Sequence, residues 1–280
     1  MQQSILTVGD GNLSYSISLL AAIPNLELTA TTYDDLECLK AKYGAEKMTE
    51  TVEKITSKGS RVVHGVDARK LGESLDKQDR FDRIVFMHPL VPNVECAVVA
   101  RKRGTAFATV LINRRMIVEF LDSASTFLAP GGEVHITMKD VHPYTTWRLD
   151  WLGRFSESLR FIRLQPFDAS VAGLYESRNV ERDKDFPLTR SVTFVYAKKQ
   201  VDDKDNHDEL ATANESSGTP SAKRQRFVQS VIGSCEMCGA QFTSERDQSA
   251  HIESRKHRKA AELEAAWLDY MKEWRGDCHV

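Results

Sequence analysis

Seven short runs of apolar and β-branched residues, spaced through the first two hundred positions, limit this chain to one kind of architecture. They fall at 5–8, 26–32, 61–65, 83–86, 133–138, 161–164 and 191–197. Between them lie longer segments with helical spacing, such as Ile117, Phe120, Leu121, Ala124, Phe127 and Leu128. Strands alternating with helices at this length predict an α/β domain over residues 1–198. Its sheet should be mostly parallel, with seven strands at most, helices on both faces and the last strands returning as a hairpin. Composition agrees, at 41% hydrophobic and 28% charged with a net charge of −2. No run of 18 or more apolar residues exists, so no membrane partner or span is expected. No basic stretch with a long apolar core opens the chain, so no secretory signal is expected either. Five unevenly placed cysteines (Cys38, Cys96, Cys235, Cys238 and Cys278) are unlike a disulfide framework and point to a reducing compartment.

The remainder has a different character. Residues 199–230 are acid-rich, then polar, then basic at Lys223, Arg224 and Arg226. Such a stretch cannot bury enough apolar surface to offset its ordering entropy and reads as a disordered linker. Its basic end is either a solvated linker end or a nuclear-import or RNA-contact patch. Residues 231–260 hold Cys235-x2-Cys238-x12-His251-x5-His257, with Phe242 between the two pairs. Two thiolates from a knuckle and two imidazoles from successive helical turns make a tetrahedral Zn2+ set. A small ββα C2H2 finger is expected, folded with help from its metal. Residues 261–280 form an amphipathic helix and tail. Leu263, Trp267, Tyr270, Met271 and Trp274 share one face of it, suited to docking a protein partner. Cys278 and His279 are expected to bind nothing.

The first strand runs into Gly9-Asp10-Gly11-Asn12-Leu13-Ser14, and a helix begins at Ser14. Glycines permit a tight turn and close ligand approach, while a helix N-terminus offers N–H groups. The second strand ends at Asp34, placed to accept from ribose hydroxyls, and the third at Asp67, placed near an adenine amino group. Each aspartate is also a good helix N-cap. Together with Gly9, Gly11 and Ser14 they outline a nucleoside site. Both a nicotinamide dinucleotide and S-adenosyl-L-methionine fit this layout. The pattern lacks the third glycine of dinucleotide sites, and Asp10 would repel a pyrophosphate while suiting a cationic sulfonium and amino group. The chemistry therefore leans to methyl transfer.

The segment from Ile5 to Ser16 resembles the opening motif of the 25S rRNA (uridine-N3)-methyltransferase-like family. So do Ala30-Thr31-Thr32-Tyr33-Asp34, Gly65-Val66-Asp67-Ala68, Phe81-Asp82-Arg83-Ile84-Val85-Phe86 and Asn113-Arg114-Arg115. The most distinctive match is the run from Gly132 to Asp140 with Pro143, Tyr144 and Trp147 after it. The resemblance spans residues 5 to about 195. It implies a Rossmann-like class I methyltransferase fold, S-adenosyl-L-methionine as cofactor, ribosomal RNA as substrate and a nuclear or nucleolar location, with the cytoplasm as the alternative. The finger's long histidine spacing and its Arg255, Lys256, Arg258 and Lys259 resemble the U1-type, double-stranded-RNA-binding class of C2H2 fingers. The other use of such a finger is to bind protein or to orient the last helix. After the fourth strand the family usually carries Asn-Phe-Pro-His and a glycine turn, where this chain has Met87-His88-Pro89-Leu90-Val91-Pro92. The usual catalytic assignment does not carry over by position. Two readings follow: an RNA base methyltransferase, or a catalytically inactive RNA-binding or ribonucleoprotein assembly factor.

Candidate catalytic residues are His88 and Pro89 after the fourth strand, and Lys139 and Asp140 after the fifth. His88 is either the base for a uridine N3 proton or a local hydrogen-bonder. Lys139 and Asp140 either face the cleft or shape a strand-end turn. Tyr144 and Trp147 either stack on a base or pack in the core. Arg101, Lys102, Arg103, Arg114 and Arg115 either touch phosphates or belong to an exposed loop and a helix start.

Overall fold

The computed structural model describes residues 3–92, 97, 99–101, 104–178, 187–188, 190–199, 232–238 and 240–276. The linker read at 200–230, Cys96, Lys102, Arg103, Cys278 and His279 lie outside the described residues. The chain divides into two compact units, Met1–Gln200 and Val201–Val280. No helix among the described residues is long and apolar enough to cross a membrane.

The first unit contains seven strands, β1 (Ser4–Val8), β2 (Glu27–Thr31), β3 (Arg61–Val63), β4 (Phe81–Met87), β5 (Leu128–Lys139), β6 (Leu159–Pro166) and β7 (Ser191–Lys198). They form one sheet in the order β3-β2-β1-β4-β5-β7-β6. The first five run parallel, and β7 lies antiparallel between β5 and β6. All seven apolar runs of the sequence are strands. The hairpin expected at the end is β6 and β7, with β7 inserted beside β5. This is the Rossmann-like class I methyltransferase topology.

Successive side chains of a strand point to opposite faces. On one face Ile5, Leu28, Val85 and Met87 pack with α1 (Ser14–Ala22) and α3 (Ala45–Thr56); α2 (Leu36–Tyr43) precedes α3. On the other, Phe86 meets Phe120 of α4 (Thr105–Ser125) edge-to-face at 4.9 Å. Ile117, Phe120, Leu121 and Ala124 are wholly buried, as their spacing required. Phe127 and Leu128 continue that pattern only in sequence, since α4 ends at Ser125 and Leu128 opens β5. Helix α5 (Leu149–Leu152) is one turn.

The second unit has an antiparallel pair, β8 (Gly233–Ser234) and β9 (Gln241–Phe242), followed by α6 (Glu245–Glu253) and α7 (Arg255–Gly276). Ser244 caps α6 by accepting from the Asp247 N–H. Phe242 is 4% exposed and sits 5.2 Å from the His251 ring. The two histidines are not on successive turns of one helix. Ser254, with ψ of 147°, breaks the chain between α6 and α7. Six residues of continuous helix rotate a side chain by about 240°, which would carry His257 away from His251. The break turns it back. Leu263, Trp267, Tyr270 and Met271 are buried, and Trp274 is half-buried.

Candidate functional site

The C-terminal ends of the parallel strands open on one side, and the order reverses between β1 and β4, where α/β sheets bind ligands. A cavity of about 450 Å3 lies there, within the roughly 300–1,000 Å3 usual for cofactor sites. Its walls come from the glycine loop, the ends of β2 and β3, the segment after β4, the end of β5, and a distant segment at 175–178.

Gly9 has φ of +63°, and a Cβ there would stand 2.9 Å from the Phe86 ring edge. A Cβ on Gly11 would lie 3.1 Å from the Tyr43 hydroxyl. Packing and backbone together hold Gly9 to glycine, whereas a side chain at Gly11 would only have to displace the Tyr43 hydroxyl. Asp10 lines the cavity, but its Oδ2 accepts from the Ser16 N–H and hydroxyl, both at 2.7 Å. Burial pushes its carboxyl up, against the pull of the Ser16 hydrogen bonds. Asn12 accepts from the Ser14 N–H at 3.2 Å. The start of α1 is therefore not a set of open N–H groups: short-range Asx capping has claimed two of them. Ser14 does not line the cavity. Its hydroxyl donates to Asn12 Oδ1 at 2.7 Å and accepts from the Glu176 N–H at 3.0 Å.

Asp34 reaches the cavity with its carboxylate 3.5 Å from Lys42 Nζ. Asp35 is the cap, accepting from the Cys38 N–H. Asp67 is both cap and wall. It accepts from the Arg69 N–H at 2.9 Å and grips the Arg69 guanidinium at 2.8 Å. Burial raises its carboxyl, but the Arg69 hydrogen bonds outweigh this and hold it below its ordinary range.

His88 and Pro89 line the cavity beside Lys139. His88 adopts φ of +47° and donates its N–H to the Thr137 carbonyl. Burial, helped by the Lys139 charge, lowers its imidazole to about 4. Lys139 donates to the Pro187 carbonyl. Asp140 is exposed, lies outside the cavity wall and hydrogen-bonds Arg190 only through its backbone N–H. Tyr144 lines the cavity, while Trp147 is buried behind it, edge-to-face at 5.6 Å. Arg114 is fully buried and donates to the Thr146 carbonyl at 2.6 Å, so it is not a phosphate contact. Arg115 pairs with Glu119 along the helix.

Two features have roles that the sequence did not disclose. Asn113, wholly buried on α4, accepts from the Val91 N–H at 2.8 Å and donates to the Thr109 carbonyl at 2.7 Å, pinning the segment after β4. The segment 175–178 crosses back over the glycine loop. Glu176 accepts through its carbonyl from Asn12 Nδ2 at 2.9 Å, and its carboxylate pairs with Lys47 and Arg178, each at 2.9 Å. Tyr175 packs edge-to-face on Tyr15 at 5.4 Å.

In the second unit the ligand atoms of Cys235, Cys238, His251 and His257 lie within 4.8 Å of one another. His257 Nδ1 is 3.5 Å from Cys235 Sγ, 3.7 Å from Cys238 Sγ and 3.1 Å from His251 Nε2. A tetrahedron with metal–nitrogen bonds of ~2.0 Å and metal–sulfur bonds of ~2.3 Å has edges of roughly 3.3–3.8 Å. The three edges that meet at His257 Nδ1 come close to these values, and the set is compatible with one ion.

An uncharacterized protein of Arabidopsis thaliana is 28% identical over 201 residues, covering 69% of this chain and 91% of that one. The mouse ferredoxin-fold anticodon-binding domain-containing protein 1 homolog is 28% identical over 213 residues, 70% of this chain. The match spans only 31% of the mouse protein's length. Among solved structures, the 16S rRNA methyltransferase KamB aligns with a TM-score of 0.41 at 13% identity, covering 69% of this chain and 86% of that one. Residues 6–179 match the model of the BMT5-like family, rRNA (uridine-N3-)-methyltransferase BTM5-like.

Proposed function

The chain belongs to the BMT5-like rRNA (uridine-N3-)-methyltransferase family, and from that premise we propose that it transfers a methyl group from S-adenosyl-L-methionine to a uridine N3 of ribosomal RNA. The observation that carries this is one cavity joining the glycine loop, Asp34 and Asp67 to His88, Pro89 and Lys139. Its two ends divide the work. Asp34 accepts from ribose hydroxyls, and Asp67, with Arg69 already bound, receives the adenine amino group. The cofactor supplies an electrophilic methyl group at the inner end.

The pocket residues after β4 and β5 handle the uracil. Leu90, Val91, Met116 and Met138 give apolar walls that exclude water. Burial and Lys139 hold His88 neutral at pH 7, so a ring nitrogen can accept the N3 proton. The Lys139 ammonium favours negative charge on the flanking uracil oxygens, which makes N3–H easier to ionise. Positioning contributes the larger share of the rate, because a histidine of such low proton affinity is a weak base. A base within a duplex would first be flipped out.

Cys235, Cys238, His251 and His257 would hold Zn2+ in a closed, structural site that fastens the β8–β9 hairpin to both helices. The exposed Arg255, Lys256, Arg258 and Lys259 around His257 are placed to contact the backbone of structured RNA. A ribosomal RNA substrate is compatible with a nuclear or nucleolar location and with the cytoplasm.

Calorimetry of the full chain with S-adenosylhomocysteine, then transfer of labelled methyl to ribosomal RNA with nucleoside analysis, tests the reading. N3-methyluridine is the expected product, and absence of cofactor binding overturns it. A second reading, a non-catalytic RNA-binding assembly factor, draws on the low proton affinity of His88. Cofactor binding without transfer would favour it.

A further inference from the structure

S-adenosyl-L-methionine ends in a zwitterion, an α-ammonium beside an α-carboxylate, and a site for it needs opposite charges a few ångströms apart. The α1 N-terminus is poorly suited to the carboxylate, since Asp10 and Asn12 already occupy two of its N–H groups. Cations lining the cavity are Lys42, Arg69, Lys139 and Arg178. Three belong elsewhere: Lys42 stands by Asp34 at the ribose end, Arg69 is gripped by Asp67 at the adenine end, and Lys139 lies beside His88. Arg178, paired with Glu176, lies on the segment that Asn12 and Ser14 tether to the glycine loop.

Resting on the cofactor reading above, we propose that Glu176 and Arg178 clamp the amino-acid end of the cofactor. Arg178 takes the α-carboxylate, and Glu176 takes the α-ammonium. Residues 175–178 are non-helical, and in extended chain i and i+2 point the same way; both side chains line the cavity. Lys47 and Arg178 hold the Glu176 carboxyl below its ordinary range, so it is anionic at neutral pH. The Arg178 side chain is 20% exposed, which limits screening by solvent. The pair is preorganised. With no ligand, Glu176 and Arg178 neutralise each other at 2.9 Å, and the zwitterion extends that pairing into a ring of alternating charges. The segment comes from between β6 and β7.

Two ligands that differ only at the amino-acid end separate this from a structural role. Calorimetry on the full chain would compare S-adenosylhomocysteine with 5′-methylthioadenosine, which keeps the nucleoside and thioether but lacks the zwitterion. Arg178→Ala should weaken S-adenosylhomocysteine by roughly tenfold to a hundredfold, the worth of a charge-assisted hydrogen bond, and leave 5′-methylthioadenosine unchanged. Arg178→Lys should recover part of the loss. Equal weakening of both ligands, or of neither, overturns the clamp and leaves the cofactor reading standing. If the unaltered protein binds neither ligand, the cofactor reading fails and the clamp falls with it.

Discussion

Asn113→Ala removes a side chain that ties the segment after β4 to α4. Asn113 Oδ1 accepts from the Val91 N–H at 2.8 Å, and both residues are buried, at 0% and 5% exposure. Alanine leaves that N–H without its acceptor, at a cost of about 1–3 kcal/mol. The second bond, to the Thr109 carbonyl, matters less, because an in-helix carbonyl keeps its backbone donor. Residues 88–92 can move away from α4 without unfolding the sheet, so the loss should appear as opening of this segment. A shift of that size corresponds to roughly 5- to 150-fold in the population of the closed form. Methyl transfer to ribosomal RNA, read as kcat/KM, should fall by about one to two orders of magnitude on the same arithmetic. The dissociation constant for S-adenosylhomocysteine should change less than about twofold, since Gly9, Asp34 and Asp67 are untouched. Asn113→Asp keeps the acceptor for Val91 and should recover much of the rate. Normal transfer by Asn113→Ala, or cofactor binding lost in step with transfer, would refute the pinning role.

Other perturbations probe the remaining parts of the site. Gly9→Ala should destabilise the domain by about 2–5 kcal/mol in urea unfolding, combining left-handed backbone cost with overpacking against Phe86; a change within ~0.5 kcal/mol would show the turn to be unstrained. His88 titrates near 4 in the folded protein against an ordinary 6.5, so between these values the unfolded chain holds the extra proton. Stability contributed by neutral His88 is complete above pH 6.5 and declines toward pH 4, by at most about 3 kcal/mol. Burial also lowers His64 and His135, so the measurement is the difference in acid slope between the unaltered protein and His88→Gln, and identical slopes would exclude the assignment. Cys235→Ser should take zinc from one ion per chain to none by elemental analysis and weaken binding to structured RNA. Unchanged RNA affinity would count against the finger as an RNA contact.

What the sequence disclosed followed from distance along the chain. Strand identity is a property of a few neighbouring residues, and every apolar run became a strand of the expected sheet. The histidine spacing in the finger was also local, but it reads as two successive turns of one helix, and Ser254 instead breaks the helix between the two histidines. Carboxylates were harder, because one side chain serves two uses. Asp10 became a cap of α1, Asp67 took Arg69, and Asp34 alone met the cavity free of a capping duty, which Asp35 performs beside it. Arg114 reads either as a phosphate contact or as part of an exposed helix start, and it instead lies buried against the Thr146 carbonyl, 32 residues away.

The same capping that obscured the site also determines what else it needs. Helix starts in this fold class can bind anions through open N–H groups, but here Asp10 and Asn12 hold the first turn of α1. Those acceptors came with a consequence: Asn12 and Ser14 retain hydrogen-bonding capacity on the outer side, and both spend it on Glu176. The partner lies 164 residues from Asn12. No spacing rule links two such positions. A glycine loop that satisfies its own helix must take the charges for a zwitterionic ligand from another part of the chain, and the tether built by Asn12 and Ser14 brings Glu176 and Arg178 to where those charges are required.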